Sequence, residues 1–195
     1  MSAPSPAAGG SAGHARIWVT SMGGPLLVVP VSALSSWGGC TTAGVIMGGT
    51  ETPDDYDRAC AVQGLAGAIA VGDEGARALV LADEPATSCY LPGHRAFLRW
   101  LAAGSEAELA AAANRVLADP ATAWQDYGTW TTDGPAVLMD SANAGTDLDV
   151  EYPGDGLPDQ APVLLPAGTW RVRAVYAEPG RHTWAGLVHL LPTSP

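Results

Sequence analysis

From Trp124 to Leu191 glycine and proline cut the chain into short apolar segments, and one of these alternates without a break. Trp170, Val172, Ala174 and Tyr176 fall on one side of it, Arg171 and Arg173 on the other. A period of two belongs to a strand with one face in a core. The companion segments TWTTDGPAVLMDS, DLDVEY, APVLLP and TWAGLVHLL also read as strands, as do RIWVT from Arg16, LLVVPV at 26–31, AGAIAV at 66–71 and RALVLA at 77–82. Gly72, Asp73, Glu74 and Gly75 are a connection short enough to close 66–82 into a hairpin. Pro30 has no amide for a ladder, which places LLVVPV at a sheet edge or ends the strand there.

Helical signals are confined to three places. Thr52 as N-cap with Pro53 at the first helical position opens TPDDYDRAC. Between His94 and Ala103, the spacing of Phe97, Leu98, Trp100 and Leu101 predicts a helix with one apolar face, stopped by Gly104. Ser105 and Glu108 form a capping box for a second helix, Glu106 to Ala118, which Asp119 and Pro120 terminate. The expected fold class is α+β: two β-rich halves of mainly antiparallel strands, 16–92 and 124–192, with a helical pair at 94–119 between them, all in a single domain over 16–192. One internal echo bears on those halves. Trp18 to Pro25 leading into LLVVP resembles Trp130 to Pro135 leading into AVLMD, over fewer than ten residues.

Composition bounds the core and the partners. Leu, Ile, Val and Phe number only 38 of 195 residues, close to the limit for disorder, but Trp, Tyr and Met raise the large apolar side chains to 54. The net charge is −11, and every cation is Arg. An acidic surface repels phosphate backbones and anionic lipid heads while it speeds encounter with a basic protein, so nucleic acid and membrane are not expected ligands. Apolar runs fall short of the roughly 18 residues that cross a bilayer. Residues 1–15 have neither the basic start nor the apolar stretch of a signal peptide and read as a disordered leader.

Motifs for chemistry are sparse. There is no GxGxxG, P-loop or HExxH, and Gly9–Gly13 matches a hydrolase nucleophile elbow with no strand before it. Cys40, Cys60 and Cys89 make no CxxC pair and read as buried free thiols. The four histidines form no ligand-spaced cluster, so neither metal nor cofactor is expected. Cys89, five residues before His94, supplies the only thiol and imidazole close enough in sequence for a small cysteine hydrolase. Seven Trp on a β-rich frame could instead supply stacking platforms for a carbohydrate or a peptide, and Trp37, beside two glycines, is the one to test for exposure.

The acids carry the clearest signal. Between Arg115 and Arg171 lie nine Asp or Glu and no Arg, Lys or His. As a strand, 147–152 would display Asp147, Asp149 and Glu151 on one face and bury Leu148, Val150 and Tyr152 on the other. Such a face either keeps the chain soluble or docks a basic protein. The residues placed in a docking surface are Asp147, Asp149, Glu151, Asp155 and Asp159, with Trp37 as an anchor.

Taken in order, RIWVTSMGGPLLVVP, DYDRAC, DEPATSCYLP, FLRW, GPAVLMDS and GTWRVRAVYAE with the closing TWAGLVHLL resemble the immunity protein 21 family of bacterial polymorphic toxin systems, over residues 16–191. The resemblance implies an α+β, cytoplasmic protein, encoded beside a secreted toxin, that protects its producer by binding that toxin and catalyses nothing. It carries over no catalytic or contact residue.

Overall fold

The computed structural model describes residues 15–41, 53–154, 156–180 and 182–193. The expected leader up to residue 14 lies outside the described residues, as do Thr52 and Asp155. In chain order the elements are β1 (Trp18–Val19), β2 (Leu26–Pro30), a 3-10 turn (Val31–Ser36), α1 (Asp55–Cys60), β3 (Gly67–Val71), β4 (Ala76–Leu81), β5 (Ser88–Leu91), β6 (Ala96–Ala102), α2 (Glu106–Ala118), β7 (Gln125–Thr132), β8 (Ala136–Asp140), β9 (Gln160–Val163), β10 (Gly168–Gly180) and β11 (Thr183–Pro192). They make a first sheet, ordered β1-β5-β6-β11-β10-β7, and a second, β3-β4-β2-β8-β9. All pairings are antiparallel.

The two sheets pack face to face. Leu26, Val28, Leu79, Leu81 and Leu138 of the second meet Phe97, Trp130, Trp170, Val172 and Val188 of the first in one core. On the outer face of the first sheet, α2 sets Leu109, Ala112, Ala113 and Val116 against Leu98, Val175, Ala185 and Leu187. Alanines on that helix let it approach the strands closely. The outer face of the second sheet is covered by the 3-10 turn, Trp37, α1 and Leu148, over Leu27, Val29, Val80 and Met139.

Several expectations change. Each sheet draws strands from both halves of the chain, so the halves do not flank a helical pair. Only α2 of that pair forms, and residues 96–102 are β6 instead. Phe97 enters the inter-sheet core and Leu98 the layer under α2, with Ala96 and Arg99 also buried. A strand covered on both faces carries an unbroken apolar run, and such a run also satisfies helical spacing. β2 lies at the centre of its sheet, between β4 and β8, and Pro30 ends it. α1 starts later than expected, because Asp54 is its N-cap and exchanges capping hydrogen bonds with Asp57. Residues 147–152 form no strand.

The strand pairing has a pseudo-two-fold pattern. β1–β2 and β7–β8 each pass from the first sheet to the second through a Gly-Pro pair, Gly24-Pro25 and Gly134-Pro135. β2 and β8 then pair around Val28 and Leu138, and their ends exchange matching bonds, Val31 N to Pro135 O (2.9 Å) and Ser141 N to Pro25 O (3.2 Å). In the first sheet β1-β5-β6 is answered by β7-β10-β11, and in the second β4-β2 by β9-β8, with β3 an addition. The sequence echo is therefore real in topology but shifted in register. Trp130 faces the inter-sheet core, whereas Trp18 faces the α2 side, as Trp124 does. Trp18 packs edge-on against Trp100 (5.3 Å), and Trp124 packs on His189 (5.5 Å).

His189 accepts from Arg173 through Nδ1 (3.0 Å from Nη2), and the guanidinium lies 4.4 Å from the Trp124 ring centre. Burial, and then the Arg173 charge, push the imidazole down to about 4. An unfolded His takes up its proton near pH 6.5. Between those values unfolding binds a proton, so stability falls as pH drops from about 6.5 toward 4. His189→Gln, which keeps an acceptor, should flatten that part of the profile. Denaturant midpoints at pH 7 and pH 5 that shift equally in both proteins would exclude the effect.

Candidate functional site at one end of the sandwich

The ends of β4, β6 and β8 and the starts of β2, β9 and β11 gather several loops at one end of the molecule. Asp140, the last residue of β8, organises them. It is 2% exposed, and its carboxylate accepts from Met22 N (2.5 Å) and Ala142 N (2.8 Å). Both loops that leave this end thereby share one anchor. Asp159 makes a second tie by accepting from Thr20 N (3.1 Å).

Below the 141–148 segment lies Trp37. At 1% exposure it is a core residue, not the surface anchor that its flanking glycines suggested. Its indole donates to Ser141 O (3.1 Å), and its carbonyl accepts from Gly145 N (2.9 Å). Gly39 is packed so closely against this segment that a Cβ there would stand 2.6 Å from Ala142 O, and its φ of +65° favours glycine as well. Trp37 therefore sets the height of the acidic loop without being part of its surface.

The loop itself is built from turns. Asp147 N bonds to Ala144 O and Val150 N to Asp147 O, while Tyr152 and Gly156 exchange a bridge. Alternation fails after Leu148, which is buried, since Val150 is 50% and Tyr152 40% exposed. Asp149, Glu151 and Asp159 are exposed, and Asp147 is half-buried with a hydrogen bond from Thr146. Asp155 falls outside the described residues. The ion pairs among the described residues are Arg16–Glu106, Arg58–Asp55 and Arg171–Asp126, so none neutralises these four acids. Leu157 and Met22 add exposed apolar surface, Met22 at 81%.

α1 brings further acids to the neighbouring surface. Asp55 accepts from Gly38 N (2.7 Å) and pairs with Arg58. Burial opposes the Asp54 charge, yet the amides of Thr41 and Asp57 and the Thr41 hydroxyl hold its carboxyl below the ordinary value.

The structure does not assemble a cysteine nucleophile. Of the three thiols only Cys89 is buried, Cys60 being exposed and Cys40 half-buried. Burial pushes the Cys89 thiol up to about 12, away from thiolate, while His94 sits exposed in the β5–β6 turn. Cys40 and Cys60 are also raised, by burial and by the nearby Asp54 and Asp57. Among the described residues no three His, Cys, Asp or Glu side chains converge to hold a metal ion, and no helix is long and apolar enough to cross a membrane.

No row of exposed indoles forms a stacking platform. Trp37, Trp130 and Trp170 are buried, and Trp18, Trp100 and Trp124 half-buried. Trp184, at 46%, is the exposed one, and sequence reasoning did not single it out. Its register with β6 shifts at the next residue, so alternation along TWAGLVHLL gives no sign of its exposure.

The sequence profile described as Immunity protein 21 matches residues 17–183. Comparison with curated proteins and with solved structures returns no match. With most of its length covered by that profile, from just before β1 to the start of β11, the chain belongs to the Immunity protein 21 family.

Proposed function

We propose that this protein neutralises a toxin by binding it, and that the 147–159 loop meets a basic surface on that toxin. Family membership supports an immunity role. The observation that carries the contact is the unpaired state of Asp147, Asp149, Glu151 and Asp159 beside the exposed Val150, Tyr152 and Leu157. Carboxylates that only kept the chain soluble would need no apolar companions. Acids steer a basic partner into encounter, and apolar side chains then slow its departure by losing contact with water. Against a toxin that acts on a polyanion, the same carboxylates occupy the space of the substrate's phosphates. Asp155 joins them by sequence, and Trp37 contributes from beneath.

The test is co-expression with the toxin encoded beside this chain, scored by growth rescue, followed by binding kinetics with the purified pair. Association should slow steeply as salt is added. Asp149→Arg combined with Glu151→Arg should lower the association rate about tenfold at low salt, within the range that steering provides. An unchanged rate would leave these carboxylates as solvation alone. Asp140→Ala removes the acceptor shared by Met22 and Ala142 and should cost roughly 1–3 kcal/mol of stability by denaturant titration. Full retention of stability would mean that the anchor is dispensable.

A further inference from the structure

A second concavity at the same end has chemistry of its own. A cavity of about 390 Å³ opens between the loop after β4, the end of β6 and the start of β11, lined by Glu84, Pro85, Trp100, Ala102, Tyr176 and Trp184. Pro85 and Asp83 also line a smaller hollow of about 150 Å³ that reaches Gly23 and Cys60. The hollow shares Pro85 with the cavity, and its Gly23 is next to Met22, whose amide donates to Asp140.

Behind the wall lies Arg99. It is 1% exposed, donates to Ala82 O (2.5 Å), Glu84 O and the Tyr176 hydroxyl (3.0 Å), and has no carboxylate partner among the ion pairs of the described residues. Its Nε has no hydrogen-bond partner. A buried cation without a counter-charge is costly, and here its hydrogen bonds fix the 82–84 loop to β10. The cavity is therefore held open before anything binds, which lowers the ordering cost of filling it.

The same cation selects the occupant. A Lys or Arg head inserted against Tyr176 would approach a positive charge, since the Arg99 guanidinium already lies 5.8 Å from the centre of that ring. An apolar side chain meets no such penalty and finds aromatic walls. Glu84, exposed among the lining residues, and Asp83, exposed next to it on the smaller hollow, are complementary to basic residues beside that side chain.

We infer that this cavity is the anchor pocket of the toxin interface, taking one large apolar side chain of the toxin that is flanked by basic residues. The inference rests on the toxin-binding reading and adds the residue that holds the complex together. An exposed tryptophan, Trp184, beside a preformed pocket has the makeup of the few residues that dominate binding energy.

The experiment measures binding of the toxin encoded beside this chain to three forms of the protein: wild type, Trp184→Ala, and Ala102→Phe, which fills the cavity from an exposed position and leaves Trp184 in place. Each variant should dissociate at least tenfold faster, with an association rate within about twofold of wild type and an unchanged melting temperature. Wild-type binding with dissociation unchanged in both variants overturns the pocket and leaves the toxin-binding reading intact. Wild-type protein that leaves the toxin unbound overturns both. A concentration-dependent dimer abolished by Ala102→Phe would assign the cavity to a second copy and overturn the inference.

Discussion

The antiparallel pairing of β2 with β8 holds the rest of the molecule in place. Both strands are buried: β2 lies completely below the surface, and β8 is open only at Val137. Val28 and Leu138 face the inter-sheet core, while Leu27, Val29 and Met139 face the outer cover. The register leaves Asp140 at the end of the ladder, opposite Leu26, and so beside the loop that carries Met22. A slip of one residue would exchange the two apolar faces and move Asp140 out of reach of both amides that it serves. The candidate site is in this sense an end effect of one strand pair.

Much of this was legible in the chain, and the failures have physical causes. The β3–β4 hairpin, α2 with its Ser105 cap and the alternation of β10 are local: turn chemistry, capping and a half-covered face each write their own period. β6 was not legible, because burial on both faces erases the period that separates strand from helix. The 147–152 segment failed in the opposite way. Its alternation is perfect in sequence, but no strand of the second sheet stands beside it, and β9 already occupies the free edge of β8. Pairing is a property of the partner as much as of the segment. Trp37 was misread for a third reason: flanking glycines mark close backbone packing as readily as exposure, and Gly39 is such a contact.

In the proposed toxin contact, the surface at this end would separate two tasks by residue type. Long-range attraction would fall to the carboxylates of the acidic loop, whose field reaches across roughly a Debye length and is weakened by salt. Short-range retention would fall to the exposed Met22, Leu157 and Trp184, since it grows with apolar area removed from water. Arg99 belongs to neither group. Its charge is hidden, its three hydrogen bonds are internal, and its effect is to keep one wall of the aromatic cavity rigid.

Departures from the pseudo-two-fold pattern fall where this surface lies. Between β2 and β4 the first half inserts the 3-10 turn, α1 and β3, and the second half has only the 141–159 loop between β8 and β9. The paired core strands are common to both halves and leave little freedom, because each buries side chains on two faces. Freedom to differ resides in the connections. One of them adds a strand to the second sheet and a 3-10 turn and helix that cover it, and the other is left as turns that put Leu148 into that cover. A loop spared from covering a sheet can spend its remaining residues on solvent-facing acids and apolar tips, and 149–159 consists largely of these. The asymmetry of the two halves thus supplies the loop that carries Asp149, Glu151 and Asp159, which a symmetric pair of halves would lack.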